Sequence, residues 1–103
     1  MKTIAIIPAR YASSRFEGKP LALLNGKPMV MWVYDAVVKS ELFDKVVVAT
    51  DDERIFNEVF ARGGFAMMTS GSHSCGTQRC EQVLHDLSLN REHYDVAVIV
   101  QGD

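Results

Sequence analysis

Val96-Ala97-Val98-Ile99-Val100 is apolar at every position. A strand with one face in water alternates apolar and polar residues, whereas a strand covered on both faces need not. This run therefore belongs in a parallel sheet flanked by helices. Working back along the chain, Phe65 to Met68 predicts a short strand. Lys45 to Thr50 predicts another, with Val46-Val47-Val48 at its heart, and Thr3 to Ile7 predicts the first, closed by Pro8. Helical segments separate them. One starts at Pro28, a favoured first helical residue, and runs to about Ser40. A second is capped by Asp51, carries Asp52 and Glu53 in its first turn and stops at Gly63-Gly64. A third spans about Thr77 to Leu89. Strands alternating with helices predict an α/β fold, a doubly wound, mostly parallel sheet.

The chain has 103 residues, 48% hydrophobic and 23% charged, which suits one globular domain. No repeat, low-complexity tract or linker divides residues 1–103. Only Gln101-Gly102-Asp103 follows the last strand, leaving an apolar edge that later strands of a larger domain are expected to cover. The chain is thus expected to be the N-terminal portion of a single domain. A net charge of -2 argues against a basic nucleic-acid module. No apolar run approaches the roughly 20 residues that span a bilayer, so no membrane association and a cytoplasmic location are expected. The spacing of Cys75 and Cys80 fits neither a zinc site nor a C-x-x-C redox pair, and two reduced thiols are expected.

Positive charge is concentrated in one place. Between Pro8 and Leu21 the chain carries Arg10, Arg15 and Lys19 against a single acid, Glu17, with Ser13 and Ser14 as hydroxyl donors and Gly18 allowing close backbone approach. Guanidinium forks and backbone N–H groups match phosphate oxygens. The stretch is not a P-loop, because Pro20 follows Gly18-Lys19 and Ser13 stands where the earlier glycine would be. A solvated charged loop is the plainer alternative. If the strands run in the order 3-2-1-4, the first and fourth are neighbours about 5 Å apart. Arg10 and Asp103 then face one crevice at the carboxyl ends of the strands, where ligands bind in such sheets. Cations and a carboxylate across one crevice suit a magnesium–nucleotide complex. Asp103 could equally be a strand-ending turn acid.

A third candidate is His73-Ser74-Cys75-Gly76-Thr77-Gln78-Arg79. Thr77 is expected to cap the following helix, Gly76 to admit a flat ligand, and Arg79 to project against the helix dipole unless an anion or base compensates. His73 reads most simply as a polar loop residue, and His85 and His93 as surface residues. Capping accounts for Asp51, Asp52 and Glu53. Met29, Met31, Trp32 and Tyr34, on a helix apolar nearly all round, are expected in the core.

Together these segments resemble the KDO (3-deoxy-manno-octulosonate) cytidylyltransferases. The resemblance lies in Ile6-Ile7-Pro8-Ala9-Arg10-Tyr11-Ala12-Ser13-Ser14-Arg15, Gly18-Lys19-Pro20-Leu21, Asn25-Gly26-Lys27-Pro28-Met29, Val48-Ala49-Thr50-Asp51 and Val100-Gln101-Gly102-Asp103. It covers the whole chain. The related sialic-acid enzymes continue their Pro-Ala-Arg start with a Gly-Gly-Ser type loop, where this chain has Tyr11-Ala12-Ser13. The resemblance implies a nucleotide-diphospho-sugar transferase (Rossmann-like) fold. The implied reaction moves CMP from CTP to KDO for lipopolysaccharide biosynthesis, with Mg2+ as cofactor and a homodimer when full length; this portion alone is expected to be inactive. It assigns Arg10, Ser13, Arg15 and Lys19 to the CTP phosphates, with Ala9 among the substrate-binding residues. Gly76 and Arg79 fall near the cytidine, Gln101 near the sugar and Asp103 on the metal; Arg10, Lys19 and Asp103 carry the catalysis. This chain departs from the family pattern at Phe16-Glu17, where Leu-Pro is usual, and at Cys75 and Gln78, in place of serine and glutamate. A cytidylyltransferase for sialic acid or amino-KDO, or a non-catalytic nucleotide-binding module, are the alternatives.

Overall fold

A computed structural model describes residues 1–11, 18–71 and 76–101. Ser13, Ser14, Arg15, Phe16, Glu17, His73, Cys75 and Asp103 lie outside the described residues. In chain order the elements are β1 (Thr3–Pro8), a 3-10 turn (Lys19–Leu21), β2 (Leu23–Leu24), β3 (Lys27–Pro28), α1 (Met29–Ser40), β4 (Lys45–Thr50), α2 (Glu53–Ala61), β5 (Ala66–Met68), α3 (Gly76–Leu89) and β6 (Val96–Ile99). The order β5-β4-β1-β6 is parallel throughout, which is the 3-2-1-4 arrangement expected of the four main strands.

Period-two side-chain alternation divides the core into two layers. Ala5, Ile7 and Ala9, with Val46 and Val48, meet Val30 and Met31 of α1 and Ile55 and Val59 of α2 on one face. Ile4, Ile6, Val47 and Ala49 meet Cys80, Val83 and Leu87 of α3 on the other. Slipping β1 by one residue would exchange the two sets, so the pairing Ile6↔Val47 and Ile6↔Ile99 is strongly specified. Acids just before two strands anchor the amino end. Asp44 accepts from the Thr3 N–H at 2.7 Å, and Asp95 from the Lys2 N–H at 2.8 Å.

Three expectations change. Asp52, not Asp51, caps α2, its side chain accepting from the Arg54 N–H at 2.8 Å. Thr77 lies inside α3, which already begins at Gly76. Trp32 is 40% exposed rather than core. Asn25 and Gly26 both take positive φ, 54° and 77°, and close a β2–β3 hairpin of the kind that requires such a pair. The Trp32 indole N–H donates to the Leu24 and Lys27 carbonyls at 2.9 and 3.2 Å, clasping that hairpin onto α1. Finally, β6 pairs with β1 alone among the described strands, and Val96, Val98 and Ile99 are each about 40% exposed. Its unbroken apolar run forms the apolar edge expected from the sequence.

Candidate functional site: the carboxyl ends of the strands

At the end of β1 the ladder continues one residue further, the buried Ala9 donating its N–H to the Ala49 carbonyl at 2.9 Å. Arg10 follows and is exposed. The chain returns at Gly18, whose N–H donates to the Tyr11 carbonyl at 2.5 Å. That bond draws Lys19, the first residue of the 3-10 turn, back toward Arg10. Gly18 has φ 76°, and a Cβ there would stand 2.8 Å from the Tyr11 ring. Only glycine meets both conditions without strain. Pro20 is buried behind the turn, which packs against α1 and α2.

Beside the end of β1 lies the end of β6. The Val100 N–H donates to the Ile6 carbonyl at 3.0 Å, and the β1–β6 register carried two residues on sets the exposed Gln101 opposite Pro8. Behind both, α3 begins hard against β1: a Cβ on Gly76 would come within 3.2 Å of the Pro8 ring. The small residue therefore serves helix-to-strand packing, and it sets the positive end of the α3 dipole beside the crevice.

Arg79, in the first turn of α3, is wholly buried. Its guanidinium extends over the ends of β4 and β5. Nη1 donates to the Thr69 hydroxyl at 2.5 Å and, at 3.4 Å, to the Ser70 carbonyl. Nη2 lies 3.7 Å from Asp51, close enough for ion pairing but too far for a hydrogen bond. Nε and Nη2 have no hydrogen-bond partner among the described residues. A buried charge with unmet donors is costly unless something compensates, and Asp51 does so only in part.

Asp52 is engaged differently. It forks Arg54, Oδ1 accepting from Nε at 3.1 Å and Oδ2 from Nη2 at 2.7 Å. These bonds hold the Asp52 carboxyl below the usual carboxylate range, against a smaller opposing effect of burial. The guanidinium of Arg54 stacks over the Tyr11 ring, 3.4 Å from its centroid.

Of the residues singled out from sequence, the structure brings Ala9, Arg10, Gly76 and Gln101 to the β1–β6 end, holds Lys19 in the 3-10 turn packed against α1 and α2, and sets Arg79 one strand over, beyond β4 and β5. Ser13, Arg15 and Asp103 lie outside the described residues. Among the described residues no cluster of three or more His, Cys, Asp or Glu side chains could hold a metal ion, and no helix is long and apolar enough to cross a membrane. Sequence reasoning missed Tyr11, Asp51, Arg54 and Thr69 as partners of the site. One signal was present: an Asp-Asp pair at a strand end, with two helices that each carry an arginine in the first turn, against their dipoles.

A family model described as cytidylyltransferase matches residues 4–103. The 3-deoxy-manno-octulosonate cytidylyltransferase of Geotalea daltonii is 55% identical over 103 residues, covering all of this chain and 39% of that protein. That of Syntrophus aciditrophicus is 52% identical over 102 residues, covering 99% and 40%. A solved structure of CMP:2-keto-3-deoxy-manno-octonic acid synthetase complexed with CTP is 42% identical, with a TM-score of 0.91, and covers all of this chain and 41% of that one. The chain spans about two-fifths of the length of the curated relatives it matches.

Proposed function

Because the chain belongs to the cytidylyltransferase family, we propose that it is the nucleotide-binding portion of an enzyme that transfers CMP from CTP to KDO. One observation carries the reading. The chain is similar throughout to KDO cytidylyltransferases and to a synthetase complexed with CTP. The anomeric hydroxyl of KDO loses its proton to solvent and its oxygen bonds to the α-phosphorus of CTP as the bond to the bridging oxygen of the β-phosphate breaks, releasing CMP-KDO and pyrophosphate. Phosphoryl transfer of this kind needs alignment and charge neutralisation more than covalent help.

The protein's share is read from the family resemblance of its motifs. Arg10 and Lys19, whose neighbours Tyr11 and Gly18 are hydrogen-bonded, are proposed to bind the phosphates; the resemblance adds Ser13, Arg15 and Ala9 to that set. Arg79, with two donors unmet among the described residues, and Gly76 stand on the cytidine side. Gln101 approaches the sugar. Both substrates are anionic, which accounts for local positive charge in a chain of net charge -2. Asp103 is the residue proposed to hold a magnesium ion, which would neutralise phosphate charge. The complete enzyme is proposed to be a cytoplasmic homodimer serving lipopolysaccharide biosynthesis, with this portion inactive by itself.

Pyrophosphate release by the complete protein tests the proposal. CTP with KDO is expected to give turnover, and Arg10→Ala or Lys19→Ala to lower kcat/KM by about 100-fold, roughly 3 kcal/mol of transition-state stabilisation. Turnover with sialic acid but not KDO would overturn the substrate; CTP binding without any turnover would leave a binding module.

A further inference from the structure

We infer that Tyr11 and Arg54 form a brace that positions Arg10 and Lys19 for the nucleotide, an inference that rests on the CTP-binding function proposed for this crevice. Four observations converge on it. The guanidinium carbon of Arg54 lies over the Tyr11 ring, 3.4 Å from its centroid, a cation–ring contact that arginine makes more readily than lysine. Both guanidinium contacts to Asp52 are short, and Asp52 is itself locked as the cap of α2 by the Arg54 N–H. The brace is therefore rooted in a strand end and a helix start rather than in another loop. On its far side, the Cε2–Cζ edge of Tyr11 fills the space that a Cβ on Gly18 would need. Tyr11 is also packed against the core beneath α1 and α2.

The sequence position of Arg54 strengthens the case. A cation in the first turn of a helix opposes the dipole, and α2 has an acid, Glu53, immediately before it. An arginine kept there is explained by what its side chain reaches. It reaches Tyr11, the residue next to Arg10, so the ring, the Gly18 N–H bond and the 3-10 turn form one continuous contact from α2 to Lys19. Two cations separated by eight intervening residues thereby acquire a defined separation. Neither Tyr11 nor Arg54 need touch the nucleotide; both are positioning residues.

The test uses the complete protein with four variants: Tyr11→Leu, Tyr11→Phe, Arg54→Met and the double Tyr11→Leu/Arg54→Met. Calorimetry with CTP is expected to show affinity about three- to fivefold weaker in Tyr11→Leu and in Arg54→Met, the worth of an exposed cation–ring contact. The double variant is expected to be no weaker than either single one, because both remove the same contact. Tyr11→Phe keeps the stack and is expected to bind like the wild type. Hydrogen exchange of the Gly18 amide, measured without nucleotide, is expected to quicken in Tyr11→Leu and Arg54→Met and not in Tyr11→Phe. Additive losses in the double variant, or unchanged affinity and unchanged Gly18 exchange in both single variants, overturn the brace. A wild-type protein that fails to bind CTP, with Gly18 exchange still responding to the variants, overturns the nucleotide reading instead.

Discussion

Arg54 and Arg79 occupy matching places and live in opposite circumstances. Each lies in the first turn of a helix, against the dipole, and each faces one member of the Asp51-Asp52 pair at the end of β4. The Arg54 side chain is 58% exposed, yet its fork is matched to a carboxylate and its face to a ring. The Arg79 side chain is 1% exposed, yet its nearest carboxylate oxygen is 3.7 Å away, and two of its nitrogens have no hydrogen-bond partner among the described residues. Solvent could satisfy the first arginine but not the second. A satisfied, exposed arginine is a brace and adds little stability. A buried, half-satisfied one lowers stability, and a site that recognises an anionic or polar ligand is where such a group is retained.

Substituting the buried member should break the contrast most clearly. Arg79→Met is expected to weaken CTP binding by about 10- to 100-fold, since hydrogen bonds to a charged group are worth about 1.5–3 kcal/mol. Its thermal stability should be unchanged or higher, because an under-paired buried charge is gone. Unaltered affinity with a large drop in melting temperature would make Arg79 a structural arginine with no part in nucleotide binding.

The contrast is sharpened by Asp51→Asn, which removes the carboxylate facing Arg79 while keeping its shape. Urea denaturation is expected to show a loss of about 1–2 kcal/mol, less than a fully buried pair would lose because Asp51 is partly exposed. No loss would mean that Asp51 does not compensate the buried charge.

The smallest effect belongs to the exposed pair. The folded state holds the Asp52 carboxyl below its ordinary value through Arg54. It therefore binds fewer protons than the unfolded chain, and the contribution is complete above the ordinary carboxylate range, then lost as pH falls below about 4. Asp52→Asn keeps a capping side chain but removes the charge. Its stability is expected to lie within about 1 kcal/mol of the wild type at neutral pH, with the gap closing in acid. A gap that widens in acid would mean that folding raises the Asp52 carboxyl instead of lowering it.

The elements themselves were largely legible. Lys45–Thr50 forms a strand over the expected residues, and the strands at Thr3 and Val96 agree within one residue, because β-branched runs bounded by turn residues are local signals. The site was legible as a cationic loop and a helix start, but not as a set of partners. Asp51 and Asp52 are adjacent acids of equal capping ability. The choice went to Asp52, whose N–H donates to the hydroxyl of the buried Thr50 at 3.2 Å. Trp32 sat on a helix whose apolar faces looked equivalent, and only the folded-back hairpin supplied the two carbonyls that hold its indole at the surface.

Residue order by itself determined the α/β class, the parallel pairing of the four main strands, the glycine at position 18 and the place where cations gather. These depend on periodicity, on turn chemistry and on charge counted along a short stretch, all of which are local. Tertiary structure alone decided that Arg79 is buried against Thr69 and that Arg54 lies over Tyr11. Those contacts join residues ten to more than forty positions apart. Their geometry is set by how the helices pack onto the sheet, and no local propensity encodes it.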